Sequence, residues 1–130
     1  MIEFKDVTKV YEGTVALNQL NLTLQSGEIV GLIGHNGAGK STTIKSLVSV
    51  ISPRSGEIFV DGQELSANRL AIKEKIGYVA DSPDLFLRLT ANEFWELVAT
   101  SYDMTNAEVE ERLGNLLHIF DFGSHRYEVI

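Results

Sequence analysis

GLIGHNGAGKSTTIKSL, residues 31–47, places four glycines within nine positions, then a lysine, three hydroxyls and a run of helical character. It follows directly on the apolar EIV of residues 28–30. Glycine loses more conformational freedom on ordering than any other residue, so such clustering needs a compensating use. Residues 34–41, GHNGAGKS, match the pattern G-x-x-x-x-G-K-[ST], which cradles phosphate. Glycines let the backbone curl until successive N–H groups point at one anion. A helix N-terminus behind the loop adds unsatisfied N–H groups and a partial positive charge. On this reading Gly34, His35, Asn36, Gly37, Ala38 and Gly39 present amides. Lys40 supplies a full charge to the β- and γ-phosphates, the Ser41 hydroxyl ligates Mg²⁺, and Thr42 reaches an α-phosphate oxygen. A random chain of this length carries the pattern roughly once in a few hundred cases. The strand–loop–helix context narrows it further.

Outward from the loop, EIVGLIG reads as a short strand buried on both faces. Lys40–Val50 reads as a helix, with Ile44, Leu47, Val48 and Ile51 at helical spacing, ended by SPRSGE. Upstream, Ile2–Tyr11 alternates loosely through Ile2, Phe4, Val7 and Val10 and predicts an edge strand. QLNLTLQ alternates cleanly through Leu20, Leu22 and Leu24, a half-buried strand. Downstream, EIFVDGQEL is a strand followed by Asp61-Gly62, a hairpin signal. A short helix is expected over 67–75, then a strand at KIGYVA. Thr90-Ala-Asn-Glu93 and Thr105-Asn-Ala-Glu108 are capping boxes, each opening an amphipathic helix. In the first, Phe94, Leu97 and Val98 are expected to form the buried stripe, with Trp95 partly exposed. The expected organisation is an α/β part over residues 1–80 and a helical part over 81–130.

The 130 residues suit one domain, and the 44% apolar content allows a real core. There is no cysteine, which excludes disulfides, thiol catalysis and Cys-ligated zinc. The net charge of −7 falls entirely in residues 61–130, with six Lys/Arg against thirteen Asp/Glu, while residues 1–60 balance at five each. Nucleic acid is not an expected ligand, because backbone binding needs a basic footprint. The opening MIEFKDVTKVYEG has no apolar core of a secretory signal, and no apolar run approaches the roughly 18 residues that span a bilayer. The expectation is a cytoplasmic protein that meets a membrane only through partners.

LNQLNLTLQSGEIVGLIGHNGAGKSTTIKSLVSVISPRSGEIFVDGQEL resembles the start of the ATP-binding subunit of an ABC transporter. The resemblance extends over residues 2–125, and its motifs are most specific up to Gly62. It implies an α/β P-loop NTPase core with an N-terminal antiparallel β subdomain and part of a helical subdomain. It implies ATP and Mg²⁺ as cofactors. Tyr11, in VTKVYEG, matches the aromatic that stacks on adenine. His35 stands where the family commonly has proline, so its backbone N–H is its implied contribution. Asp81, closing IGYVAD, stands where the family usually has the Q-loop glutamine. It can approach Mg²⁺ but cannot donate a hydrogen bond while ionised. Lys40 and Asp81 are thus the implied catalytic positions, and Ser41 and Asp81 the implied metal ligands.

The family's L-S-G-G-Q signature, its Asp-Glu strand end (Walker B) and its switch histidine do not occur in the sequence. IFVDG and LLHIFDF do not substitute for them: the first is a hairpin, the second helical, and neither offers a glutamate base. The resemblance therefore implies an N-terminal portion of such a subunit, truncated before signature and Walker B, which binds Mg·ATP and is not expected to hydrolyse it alone. The implied partners of the intact protein are transmembrane permease subunits and a second nucleotide-binding subunit. Its implied place is the inner face of the cell membrane. Leu85, Phe86 and Trp95 are expected to line the groove for a permease helix. Two other classes fit the loop. A soluble ABC-type ATPase would carry a second domain or a coiled coil. A small P-loop kinase usually has its loop after the first strand, whereas two strand-like segments precede it here.

Overall fold

The computed structural model describes residues 1–81, 88–120 and 122–129. They fall into two compact units, Met1–Val79 and Ala80–Ile130. The first is built on an antiparallel sheet in the order β2-β1-β3-β4, formed by β1 (Ile2–Tyr11), β2 (Thr14–Leu24), β3 (Ser55–Val60) and β4 (Gln63–Glu64). The expected edge strand β1 is instead central, paired with β2 on one side and β3 on the other. Its second partner arrives more than forty residues later, so local alternation could not reveal it.

The loose periodicity of β1 has a defined cause. Phe4 pairs with Leu22 and Val7 with Leu20, so β1 carries one extra residue there. Lys5 opposite Glu57 and Thr8 opposite Ser55 give the same excess against β3. Asp6 lies at this bulge with φ 51°, a conformation that short polar side chains tolerate. Asn21 braces it: the Asp6 N–H donates to Asn21 Oδ1 at 3.0 Å, and Asn21 Nδ2 donates to Asp6 Oδ1 at 2.8 Å. The bulge turns both Phe4 and Val7 inward, three positions apart. They join Leu17, Ile58, Val60, Leu65 and Ile72 in one buried cluster.

The Asp61-Gly62 signal forms its hairpin, with both residues at positive φ (50° and 76°) between β3 and β4. The expected short helix forms as α2 (Arg69–Lys73). Five residues cannot sustain a helix alone. Ile72, fully buried, ties it to the sheet, a burial worth about 1.5–3 kcal/mol.

Two expected strands do not form. Residues 28–34 and 76–80 are extended or irregular, with Ile29 103% and Ile33 95% exposed. A strand with two apolar faces is held by neighbours on both edges. Among the described residues no strand pairs with either segment.

In the second unit both capping boxes form as expected, at the starts of α3 (Ala91–Ser101) and α4 (Asn106–Ile119). Thr90 and Thr105 each accept from the backbone N–H three residues on, and Glu93 and Glu108 accept in return. These bonds hold both glutamates below the ordinary carboxylate range, the backbone N–H of Thr90 and Thr105 being the largest cause. The expected stripe shifts, however. Ala91, Phe94 and Trp95 line an apolar groove of about 450 Å³ with Leu113 and Leu117 of α4 and with Phe120 just after it. Val98 lines its continuation, and Leu97 is half exposed. At 100° per residue, positions 91, 94, 95 and 98 centre between Phe94 and Trp95, which leaves Leu97 outside. Trp95 is partly exposed as expected, yet it belongs to this inter-helix face. Arg126 lies 5.6 Å from its ring and donates through Nε to Asn92 Oδ1 at 2.7 Å. Leu85 and Phe86, the other residues of the expected permease groove, lie outside the described residues. No helix among the described residues is long and apolar enough to cross a membrane.

Candidate nucleotide-binding site

The loop runs from Gly34 to Gly39 and enters α1 (Lys40–Leu47). Helix α1 is shorter than expected from its apolar spacing and buries Thr43 and Ser46, while Ile44 is half exposed. Its packing against the sheet is set by the loop. Gly39 holds φ 89° as the residue before the helix, and a Cβ there would lie 2.6 Å from the Ala16 carbonyl oxygen and 2.9 Å from Leu17 Cδ2. Only glycine allows the loop to close this tightly on β2. Neither Ala16 nor Leu17 belongs to the phosphate motif, and nothing in the motif's spacing marks them as the wall behind it.

Among the described residues no side chain caps α1. The Thr43 N–H and hydroxyl both donate to the Gly39 carbonyl, at 2.8 and 3.0 Å. The N–H groups of the first turn before Thr43 have no helical acceptor and face the open end of the helix. Lys40 folds across the loop, its Nζ donating to the carbonyls of Gly34 at 2.6 Å and His35 at 2.8 Å. The Ala38 N–H donates to the His35 carbonyl at 3.1 Å, closing the turn. His35 Nδ1–H donates to the Asn36 carbonyl at 2.8 Å, with the ring at the surface. Ser41 is exposed and Thr42 partly so. The arrangement suits an anion: first-turn amides at a helix end, the Lys40 ammonium already beside them, and a hydroxyl at the rim. These residues therefore fit a nucleotide phosphate, and Ser41 fits an oxygen ligand of its Mg²⁺.

Tyr11 ends β1, 42% exposed, beside a tight turn at Glu12 and Gly13 (φ 42° and 88°). The Lys9 ammonium lies 5.1 Å from its ring centroid. Lys9 belongs to no motif, and only the i, i+2 spacing in a strand marks it as a neighbour of Tyr11. Asp61 sits in the hairpin turn, bonded to the Met1 amine at 2.6 Å, and has no part in the loop. Asp81 is exposed and belongs to the second unit. No cluster of three or more His, Cys, Asp or Glu able to hold a metal occurs among the described residues.

Fold and loop together define a P-loop nucleotide-binding protein. The sequence profile described as ABC transporter matches residues 17–129, and the chain belongs to that family. It is 35% identical over 120 residues to the ABC-type transporter ATP-binding protein EcsA of Bacillus subtilis (strain 168), covering 92% of this chain and 49% of EcsA. It is 38% identical over 93 residues to the bacitracin transport ATP-binding protein BcrA of Bacillus licheniformis, covering 72% of this chain and 30% of BcrA. Among solved structures, an ATP-binding subunit of an ABC transporter superposes with a TM-score of 0.85 at 34% identity, over 99% of this chain and 54% of that one. The ATP-binding cassette MJ0796, solved as a post-hydrolysis dimer with ADP and Pi, superposes with a TM-score of 0.83 at 27% identity, over 99% of this chain and 61% of that one. The chain thus spans 49% and 30% of the length of these two curated relatives, and 54% and 61% of the two solved chains.

Proposed function

We propose that this chain binds Mg·ATP and that, in the intact protein, it is the part of an ATP-hydrolysing subunit that energises transport through membrane partners. The observation that carries the reading is the uncapped α1 N-terminus, closed on β2 by Gly39, with Lys40 reaching back across the loop. In the bound state Lys40 exchanges the Gly34 and His35 carbonyls for phosphate oxygens. Loop amides from Gly34 to Gly39 surround the phosphates, Thr42 reaches the α-phosphate, Ser41 ligates Mg²⁺, and Tyr11 stacks on adenine. Asp81, at the Q-loop position, is the proposed carboxylate neighbour of the ion. Residues 1–80 form the nucleotide-binding part, and 81–130 the Q-loop region with part of the helical subdomain. The relatives' names support a transport role, and the dimeric MJ0796 with ADP and Pi supports a hydrolysing pair of subunits. Permease subunits and a second nucleotide-binding subunit are the proposed partners, at the cytoplasmic face of the membrane.

Calorimetric titration of the chain with Mg·ATP, beside Lys40→Ala, tests the reading. A lost charged hydrogen bond costs about 1.5–3 kcal/mol, so affinity should fall roughly ten- to hundredfold. Equal affinities would overturn the phosphate-binding assignment. Phosphate release from the chain alone should stay at background, because no residue of this sequence takes the part of the attacking water's base.

A further inference from the structure

We propose that Lys9 is a positioning residue for the nucleotide base: its ammonium holds one face of the Tyr11 ring and leaves the other prepared for adenine. The inference rests on the reading of Tyr11 as the stacking aromatic. Lys9 and Tyr11 are two apart on β1, and the ammonium stands 5.1 Å from the ring centroid, within cation–π range. The ammonium is also held by a backbone carbonyl. Lys9 Nζ donates to the Ser52 carbonyl at 2.8 Å. Ser52 is itself tied down, its Oγ accepting from Arg69 Nη2 at 3.0 Å, and the next rung is closed by the Arg54 N–H donating to the Thr8 carbonyl at 2.8 Å.

Two consequences follow. A tyrosine at a strand end, 42% exposed beside a tight turn, would otherwise sample several rotamers and lose that freedom when a base stacks on it. With Lys9 anchored, the ring is ordered beforehand, and a base is directed to the face that the cation does not occupy. Lys9 also ties the base platform, through Ser52, to the segment that follows the C-terminal end of α1.

Equilibrium titration of the full chain with ATP and with inorganic tripolyphosphate, both with Mg²⁺, tests this. Tyr11→Ala should weaken ATP and leave tripolyphosphate unchanged. Lys9→Met should weaken ATP about two- to fivefold, the range of an exposed cation–π contact, and leave tripolyphosphate unchanged. Lys9→Arg should keep the affinity for ATP. In the Tyr11→Ala background, Lys9→Met should have no further effect. If Tyr11→Ala weakens ATP while Lys9→Met does not, the inference falls and the reading of Tyr11 stands. If Lys9→Met weakens both ligands alike, or adds fully to Tyr11→Ala, Lys9 acts as a general charge and the inference falls. If Tyr11→Ala leaves ATP unchanged, the stacking reading itself fails.

Discussion

Gly39 and Gly37 occupy the same motif, both left-handed, yet a methyl group should affect them very differently. At Gly37 (φ 84°) an added Cβ meets nothing within 4 Å. Gly37→Ala then costs the left-handed conformation alone, about 1–2 kcal/mol. At Gly39 the same conformational cost applies at φ 89°, and the Cβ would also stand 2.6 Å from the Ala16 carbonyl oxygen. That contact is with backbone of β2, which cannot turn aside as a side-chain tip can. Overpacking of this kind typically costs about 1–3 kcal/mol more, so Gly39→Ala should lose about 2–5 kcal/mol. Urea unfolding followed by far-ultraviolet circular dichroism would measure it. Tryptophan emission would not, because Trp95 lies in the second unit. With slopes of about 1–3 kcal/mol per molar, the Gly39→Ala midpoint should fall roughly one and a half to four times as far as that of Gly37→Ala. Mg·ATP affinity should fall in Gly39→Ala as well, since relief of the clash lifts the loop from β2. Equal destabilisation by the two variants would refute the reasoning, as it would mean that the β2 wall does not set the loop.

Ser46→Ala should stabilise the first unit by about 1–3 kcal/mol, seen in the same unfolding curves, because Ser46 Oγ is fully buried without a hydrogen-bond partner among the described residues. A loss of stability would show that the hydroxyl has a partner. Glu93 and Glu108 have folded pKa values below the ordinary 4.5, so their stabilising contribution is present above that ordinary value and is lost as pH falls through the lowered ones. The helicity of α3 and α4 should therefore decline on acidification, and a Glu93→Gln/Glu108→Gln variant should show a flatter acid limb by circular dichroism. An unchanged limb would sever that link.

The local chemistry of this chain was legible in its sequence. Both capping boxes, the Asp61-Gly62 hairpin, the clean alternation of β2 and the phosphate loop depend on residues within a few positions of one another. Short spacing alone is enough to specify them. What required the fold was every feature set by a distant partner. The central place of β1 depends on β3, which pairs with it across the whole loop and α1. The apolar run at 28–34 has strand composition, but a strand is a relation between neighbours, and composition does not supply one. The buried stripe of α3 turned on which side α4 approached. At the site, the motif named the glycines, while tertiary contact decided that Gly39 is the one pressed against backbone and that Lys9 stands over Tyr11. Periodicity and motif spacing act along the chain; steric exclusion and cation placement act through space, and only the folded arrangement brings those atoms within reach.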